Sequence, residues 1–336
     1  MASPDITVVI PTHDRETRLA FALEALAEQT LPRERYEVIV VRSPPNQAPQ
    51  QRRGFASRSG LGDRERAGPL TEAPPDLEVQ FLRSEVGGPA AQRNVGWRAA
   101  RGRLIAFTDD DCRPAPDWLE RMLDAEAGPR TFLQGRTVAD PDEGHLFHGF
   151  ARSMEVDFFD PWAPTCNIVY PRALLERIDG FDESFPDAWG EDTDMALRAI
   201  EAGAEQHWIQ EAVVRHAVLP RRLGQALRDA VRRSNIHIVV ARHPSLRQAL
   251  DMGLFTKRRH AFVLLGLAAL PFARRRPLLA LAAVIPYMRS YDPGPPWTPP
   301  RILWWLAIFL PRRVLVDVTH VGAMAASSVR YRTPVV

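Results

Sequence analysis

The sequence predicts an α/β protein: a Rossmann-like, mostly parallel sheet flanked by helices, followed by a helical appendage that is both basic and apolar. Three observations predict it. β-branched runs alternate with helix-period segments through residue 216, one predicted strand runs straight into Asp109-Asp110-Asp111, and the charge divides near residue 220. Residues 221–336 hold 19 Arg and Lys against 4 Asp and Glu, a balance of +15. Residues 1–220 carry 24 basic against 37 acidic side chains, or −13, and the net +2 of the chain hides the split. Two regions with separate tasks are therefore expected, 1–220 and 221–336.

Residues 6–10 are a β-branched run ending at Pro11, and residues 37–41 are a second; Leu19, Leu23 and Leu26 between them repeat at helical spacing, which makes a β-α-β unit. Residues 78–82 alternate as a third strand. Gly87-Gly88-Pro89 opens a helix through Ala100, with proline at an early position that tolerates it, and Gly102 follows its end. Residues 103–108 form the strand that leads into the three aspartates. Residues 116–127 read as a helix, 131–138 as a strand, 171–178 as a short helix and 191–202 as a helix closed by Gly203, with a last strand near Val213. Such alternation implies a sheet covered on both faces. Ligands then bind outside the carboxyl ends of the strands, where the aspartates lie. Residues 43–76 are different, rich in proline, glycine and arginine (Arg52, Arg53, Arg58, Arg64, Arg66). Two readings stand: a solvated insertion, or a lid whose arginines approach a phosphate.

Composition bounds the rest. With 336 residues, 45% hydrophobic and 25% charged, the chain is globular and long enough for a substantial core. Cys112 and Cys166 are its only cysteines, which excludes a disulfide framework and favours a reducing compartment. Residues 1–5 carry no basic or apolar leader pattern, so no secretory signal is expected. There is no G-x-x-x-x-G-K-[ST] sequence, and Gly60-Leu61-Gly62 lacks the third glycine and preceding strand of a dinucleotide fingerprint.

Three adjacent carboxylates at a strand end repel one another, and burial would raise their pKa values unless a cation compensates. Mg²⁺ or Mn²⁺ suits that role, held by one or two carboxylates and substrate phosphates. Capping of the next helix is the competing reading, but one aspartate would serve it. A second acidic group, Asp187-Ala188-Trp189-Gly190-Glu191-Asp192-Thr193-Asp194, stands at a helix start. Capping explains Asp187 or Asp194. Glu191-Asp192, behind a glycine that permits close approach and an aromatic platform, suits binding a sugar-like hydroxyl and taking its proton. One cluster would hold a leaving diphosphate, and the other would activate the attacking hydroxyl.

These residues resemble the family 2 glycosyltransferases, inverting enzymes of the GT-A fold, over most of residues 6–216. Val8-Val9-Ile10-Pro11-Thr12-His13-Asp14-Arg15 is similar to the opening strand and nucleotide-contacting loop. Gly88-Pro89-Ala90-Ala91-Gln92-Arg93-Asn94-Val95-Gly96 and then Ile105 to Asp111 are similar to the segment delivering the D-x-D metal motif. Asn167-Ile168-Val169 and Gly180-Phe181-Asp182-Glu183 resemble the stretch ahead of the acceptor site, and Gly190-Glu191-Asp192 matches the catalytic glycine-acid-acid position. The resemblance implies Asp192 as general base with Glu191 its competitor, and Trp189 and Gly190 on the acceptor side. It implies Pro11, Thr12, Asp14, Arg15, Arg93, Asp109 and Asp110 toward the donor, with Asp111, Asp109 and His216 toward the metal. Arg93 reads equally as a phosphate ligand or as the partner of a carboxylate. One departure matters: Arg42-Ser43-Pro44 follows the second strand where relatives carry an acid that reads the nucleobase, so the base is left open.

The function implied is metal-dependent, inverting transfer of a sugar from a nucleotide-diphosphate sugar to a hydroxyl acceptor, lipid-linked or on a cell-envelope glycan. The alternatives are a nucleotidyl- or phosphotransferase using the same acidic site, and a non-catalytic sugar-nucleotide-binding protein. The tail adds a partner. Leu223, Leu227, Ala230, Ser234 and Ile238 share one helical face, and apolar runs at 261–273, 278–288 and 302–310 alternate with arginine clusters. None approaches the ~20 apolar residues of a spanning helix, so helices lying on an anionic membrane surface are expected. A helical subdomain or homo-oligomer interface is the competing use. No nucleic-acid module is present. A cytoplasmic protein, peripheral on the inner face of the membrane, is the resulting expectation.

Overall fold

The computed structural model describes residues 3–44, 73–147, 149–185, 188–291 and 298–336. The body of the arginine-rich segment, 45–72, and Asp187 lie outside the described residues. The chain forms two compact units, residues 1–147 with 152–219 and residues 148–151 with 220–336.

The first unit runs Ile6–Thr12 (β1), Glu16–Ala27 (α1), Tyr36–Arg42 (β2), Val79–Arg83 (β3), Pro89–Ala99 (α2), Leu104–Phe107 (β4), Cys112–Pro114 (β5), Trp118–Asp124 (α3), Thr131–Ala139 (β6), Ile168–Pro171 (β7), Arg172–Ile178 (α4), Glu191–Glu201 (α5) and Glu205–His216 (β8). The strands make one eight-stranded sheet in the order β3-β2-β1-β4-β7-β6-β8-β5. Every expected strand and helix is present. The sheet is more mixed than the alternation suggested: β3-β2, β2-β1, β1-β4 and β6-β8 are parallel, whereas β4-β7, β7-β6 and β8-β5 are antiparallel. The antiparallel partners β5 and β7 are three and four residues long, too short to show a period in the sequence. Pro11 stays within β1 because it lies beyond the stretch Ile6–Val9 that pairs with β4.

Alternate residues of the strands feed two cores. Val8 and Ile10 pack with Leu19 and Leu23 of α1 and Trp118 and Met122 of α3. Val9, Ile39 and Val41 pack with Trp97 of α2, Phe107, Tyr170 and Met195 of α5. Gly135 sits where the β6-β8 register shifts, beside Asn167, whose Nδ2 donates to the carbonyls of Arg136 (2.8 Å) and Ala212 (2.9 Å). A Cβ at 135 would come within 2.4 Å of the Ala212 carbonyl oxygen. Gly135→Ala is expected to lower the urea midpoint by about 1–3 kcal/mol of stability, an overpacking cost larger than the unfolded-state entropy gain.

The second unit is helical: Leu223–Arg232 (α6), Ile236–Arg242 (α7), Arg258–Ala269 (α8), Pro277–Arg289 (α9), Pro299–Trp304 (α10) and Leu310–Tyr331 (α11), the last two joined by a π-helical turn at Trp305–Phe309. The single face expected over 223–240 is divided by a 3₁₀ turn at Arg233–Asn235. Val263, Tyr287 and Val321 form the core of α8, α9 and α11. Beside them the buried Asp317 accepts hydrogen bonds from Tyr287 Oη (3.0 Å), Tyr291 Oη (2.7 Å) and Arg259 Nε (3.3 Å), which is what makes a buried carboxylate tolerable there. Among the described residues no helix is long and apolar enough to cross a membrane.

Candidate active site

β1 lies between β2 and β4, parallel to both; the chain leaves β1 toward β2 on one side and β4 toward β5 on the other, so the position where open α/β sheets bind ligands lies outside the carboxyl ends of β1 and β4. Thr12 ends β1, and its Oγ1 donates to Asp110 Oδ2 at 2.7 Å. Arg15, just ahead of α1, donates from one guanidinium nitrogen to Asp110 Oδ1 (2.9 Å) and Asp111 Oδ2 (2.7 Å). Pro11 is buried in β1. Asp14 has a left-handed φ of 51° and a solvent-exposed carboxylate, 3.8 Å from His13.

The short strand β5 builds the next part. It pairs antiparallel with β8 so that Cys112 stands opposite His216, and the Ala217 N–H donates to the Asp111 carbonyl at 2.8 Å. His216 Nδ1 faces the Ala217 carbonyl at 2.8 Å, an acceptor only, so Nδ1 carries a hydrogen. Nε2 then turns toward Asp111 Oδ1, 3.6 Å away. Ser153 Oγ, 3.3 Å from Nδ1, steadies the ring.

The two acidic clusters meet through α2. Arg93 is buried, with Nη2 donating to Asp109 Oδ1 (2.9 Å) and Nη1 to Glu191 Oε1 (3.0 Å), and its guanidinium lies over the Phe181 ring. Of the two readings of Arg93, the carboxylate partner is the one present. Its neighbours, given no role by the sequence pattern, hold the walls. Gln92 Nε2 donates to the carbonyls of Thr12 (2.8 Å) and Val41 (2.7 Å). Asn94 Nδ2 donates to the Phe181 carbonyl (2.8 Å) and Glu183 (2.7 Å). Three consecutive polar residues on a short helix were the available signal, since they cannot all face water.

Gly190, at φ 95°, lets the chain turn into α5, with the half-buried Trp189 before it. Glu191 is buried, and its Oε2 has no hydrogen-bond partner among the described residues. Asp192 is partly exposed and accepts the Thr193 N–H at 2.9 Å. Asp194 lies within α5 and pairs with Arg198 at 2.8 Å, an i,i+4 ion pair in place of the helix cap expected of it. Arg42, where an acid would read a base, pairs with Glu16 and lies over Phe81.

Burial dominates the electrostatics. It pushes Asp110 up to about 7 against the pull of Arg15. It pushes Glu191 up to about 8, with the Asp192 charge adding to it, and Asp192 up to about 6, with Arg93 opposing. Burial works on Asp111 too, but His216 and Arg15 hold it below the usual carboxylate range. Asp111 is thus the ionised carboxylate of its pair.

A ligand atom from each of Asp111, Cys112 and His216 lies within 4.8 Å of the others. The Cys112 thiol is pushed well above its usual range by burial, with Cys166 adding to it, so it stays protonated. The ionised carboxylate suits a hard divalent cation such as Mg²⁺ or Mn²⁺, the imidazole Nε2 favours the less hard Mn²⁺ of the two, and Arg15 shows a cationic group already lodged between Asp110 and Asp111. Asp109, held by Arg93, stands outside that group.

This fold and site define a glycosyltransferase of the GT-A type. The chain belongs to glycosyl transferase family 2, whose model matches residues 7–179; that of glycosyl transferase family group 2 matches residues 104–316. It is 25% identical over 261 residues to glycosyltransferase AglE of Haloferax volcanii, covering 75% of this chain and 80% of that one. It is 30% identical over 142 residues to the pre-mycofactocin glycosyltransferase of Mycobacterium tuberculosis, covering 38% and 30% respectively. In three dimensions it resembles mannosyltransferase PcManGT of Pyrobaculum calidifontis, solved with GDP-Man and Mn²⁺, at TM-score 0.54 and 21% identity over 99% of this chain and 88% of that one.

Proposed function

We propose that this glycosyltransferase is metal-dependent and inverting, moving a sugar from a nucleotide-diphosphate sugar to a hydroxyl acceptor borne by a lipid or a cell-envelope glycan. The single observation carrying the reading is Arg93, whose two nitrogens bridge the Asp109 and Glu191 clusters. Asp192 is the general base: it is the partly exposed acid of its pair, whereas Glu191 is buried against Arg93. As the acceptor oxygen forms its bond to the anomeric carbon, the bond from that carbon to the diphosphate breaks and Asp192 Oδ takes the hydroxyl proton. No covalent sugar–protein intermediate is required.

On the donor side Pro11, Thr12, Asp14, Arg15, Asp109 and Asp110 surround the nucleotide, and Arg93 holds Asp109 in place. Asp111 and His216 would hold Mg²⁺ or Mn²⁺, with Asp109 a further candidate ligand; the cation would supply positive charge against the leaving diphosphate. Arg15 is then free to turn from Asp111 toward the phosphates. Trp189 and Gly190 border the acceptor. The Pyrobaculum protein's GDP-Man and Mn²⁺ agree with this donor class, and the base is left open between GDP, UDP and dTDP. Residues 220–336 place the enzyme on the inner face of the membrane, with self-association the competing use.

Thermal shift with each nucleoside diphosphate, with and without Mn²⁺, tests the donor site. One nucleotide should raise Tm in a concentration-dependent, Mn²⁺-dependent way, since ligands that bind only the native state stabilise it by mass action. Asp111→Asn and His216→Ala should each remove the Mn²⁺ dependence. The absence of a shift with every nucleotide in Mn²⁺ would contradict the reading.

A further inference from the structure

Helices α8 and α9 are apolar almost all round, yet little of them is covered. Of twelve residues in α8 only His260 and Val263 are buried, and of thirteen in α9 only Tyr287. Between residues 264 and 285 nine large apolar side chains are more than a third exposed, with Leu270, Leu278 and Leu279 at 62%, 79% and 64%. Leu303 and Trp304 of α10 are exposed as well. A helix apolar on every side normally has a second covering, and the described chain supplies only one.

The charge around this face selects the covering. From 252 to 291 the sequence has seven Lys and Arg and no acid. Arg274, Arg275 and Arg276 are exposed at the turn between α8 and α9, with Arg258 and Arg289 at the far ends. A second copy of the chain would bring seven more cations and no acid to pair them, whereas a soluble acidic partner would leave the leucines against polar surface. A bilayer surface bearing anionic headgroups meets both demands at once. The lengths agree: α8 and α9 are about 18 and 20 Å long at 1.5 Å per residue, short of the ~30 Å hydrocarbon core, and three arginines separate them.

We infer that the α8–α9 hairpin docks in the plane of an anionic membrane. Leu265, Leu270, Phe272, Leu278, Leu279 and Leu281 enter the headgroup–acyl boundary, and Arg274–276 pair with lipid phosphates. This deepens the membrane reading above and names the surface responsible.

The test is flotation of the full chain with vesicles of phosphatidylcholine, with and without phosphatidylglycerol. The protein should rise with the anionic vesicles only, and added salt should weaken its binding. Neutralising Arg274, Arg275 and Arg276 to Gln should lower partition by about a hundredfold, and reversing them to Glu by more. Leu270→Glu/Leu279→Glu should abolish flotation even at low salt. Both variants change exposed side chains, and circular dichroism is the check that they fold. Nucleotide–Mn²⁺ thermal shift run on the same proteins separates this inference from the catalytic one: loss of flotation with the shift retained supports docking, and loss of both points to misfolding of the variant, in which case Leu278→Gln is the replacement. Failure of the wild-type chain to float with anionic vesicles overturns the inference. So does a wild-type dimer by light scattering that Leu270→Glu/Leu279→Glu makes monomeric.

Discussion

Asp192→Asn is expected to abolish sugar transfer while leaving the nucleotide–Mn²⁺ thermal shift unchanged. Loss of a positioned base costs about 10²–10⁴-fold in turnover, and the amide cannot take a proton from the acceptor. Glu191→Gln, by contrast, keeps a hydrogen-bond acceptor for Arg93 and retains the base, so its loss should be much smaller. The wild-type rate should climb through about pH 6, where Asp192 ionises, because the base works only deprotonated. Stability runs the other way. Burial raises the carboxyl above its ordinary value of 3.8, so folding favours the protonated form. The stabilisation attached to that form is present at low pH and lost as pH rises through about 6. Asp192→Asn, neutral at every pH, should therefore be at least as stable as wild type at pH 7, by on the order of 1 kcal/mol. Urea unfolding and turnover measured on one preparation check both halves. Unchanged turnover would remove Asp192 from the chemistry.

How much of this could be read from residues alone depends on range. The acids at 109–111 and 191–192 were legible because local patterns surround them: a short apolar run ahead of the first, and a glycine and an amphipathic helix around the second. Their meeting was legible only through the family resemblance, since no periodicity reports that Arg93 reaches both Asp109 and Glu191. The position of His216 beside Asp111 depends on the pairing of Cys112 with His216, made by a strand of three residues that reads as loop. Short antiparallel strands carry too few residues for alternation to register, which is also why β7 was missed. In the second unit the apolar runs marked α8 and α9 correctly. The length of α11 was obscured by Asp317 and His320, polar residues that are buried because tertiary partners satisfy or enclose them.

Arg93→Met should cost both stability and activity, and the pH dependence of the first explains the second. In the native protein one guanidinium offsets Asp109 and Glu191 in a buried setting and also lowers the pKa of Asp192. Removing one partner of such a network leaves the others uncompensated, a loss of about 3–5 kcal/mol when the remaining charges are fully buried. Here part of that loss is avoidable, because Glu191, already pushed up to about 8, sheds its charge by staying protonated. The destabilisation should therefore be small near pH 5, grow as pH rises, and reach about 3 kcal/mol above pH 8. Activity should fall even where the protein is folded, since Asp192 loses the cation that favours its ionised, proton-accepting form. Arg93→Lys separates charge from geometry. A single ammonium restores one positive charge but cannot direct two N–H groups from a planar fork to two carboxylates, so it should recover stability more than turnover. Urea titrations of both variants at several pH values, with Glu191→Gln combined with Arg93→Met, complete the test. If the bridge is real, the double variant is more stable than Arg93→Met alone at high pH. A loss for Arg93→Met that ignores pH would mean that the arginine only fills space over Phe181, and that the two acidic clusters need no common cation to face each other.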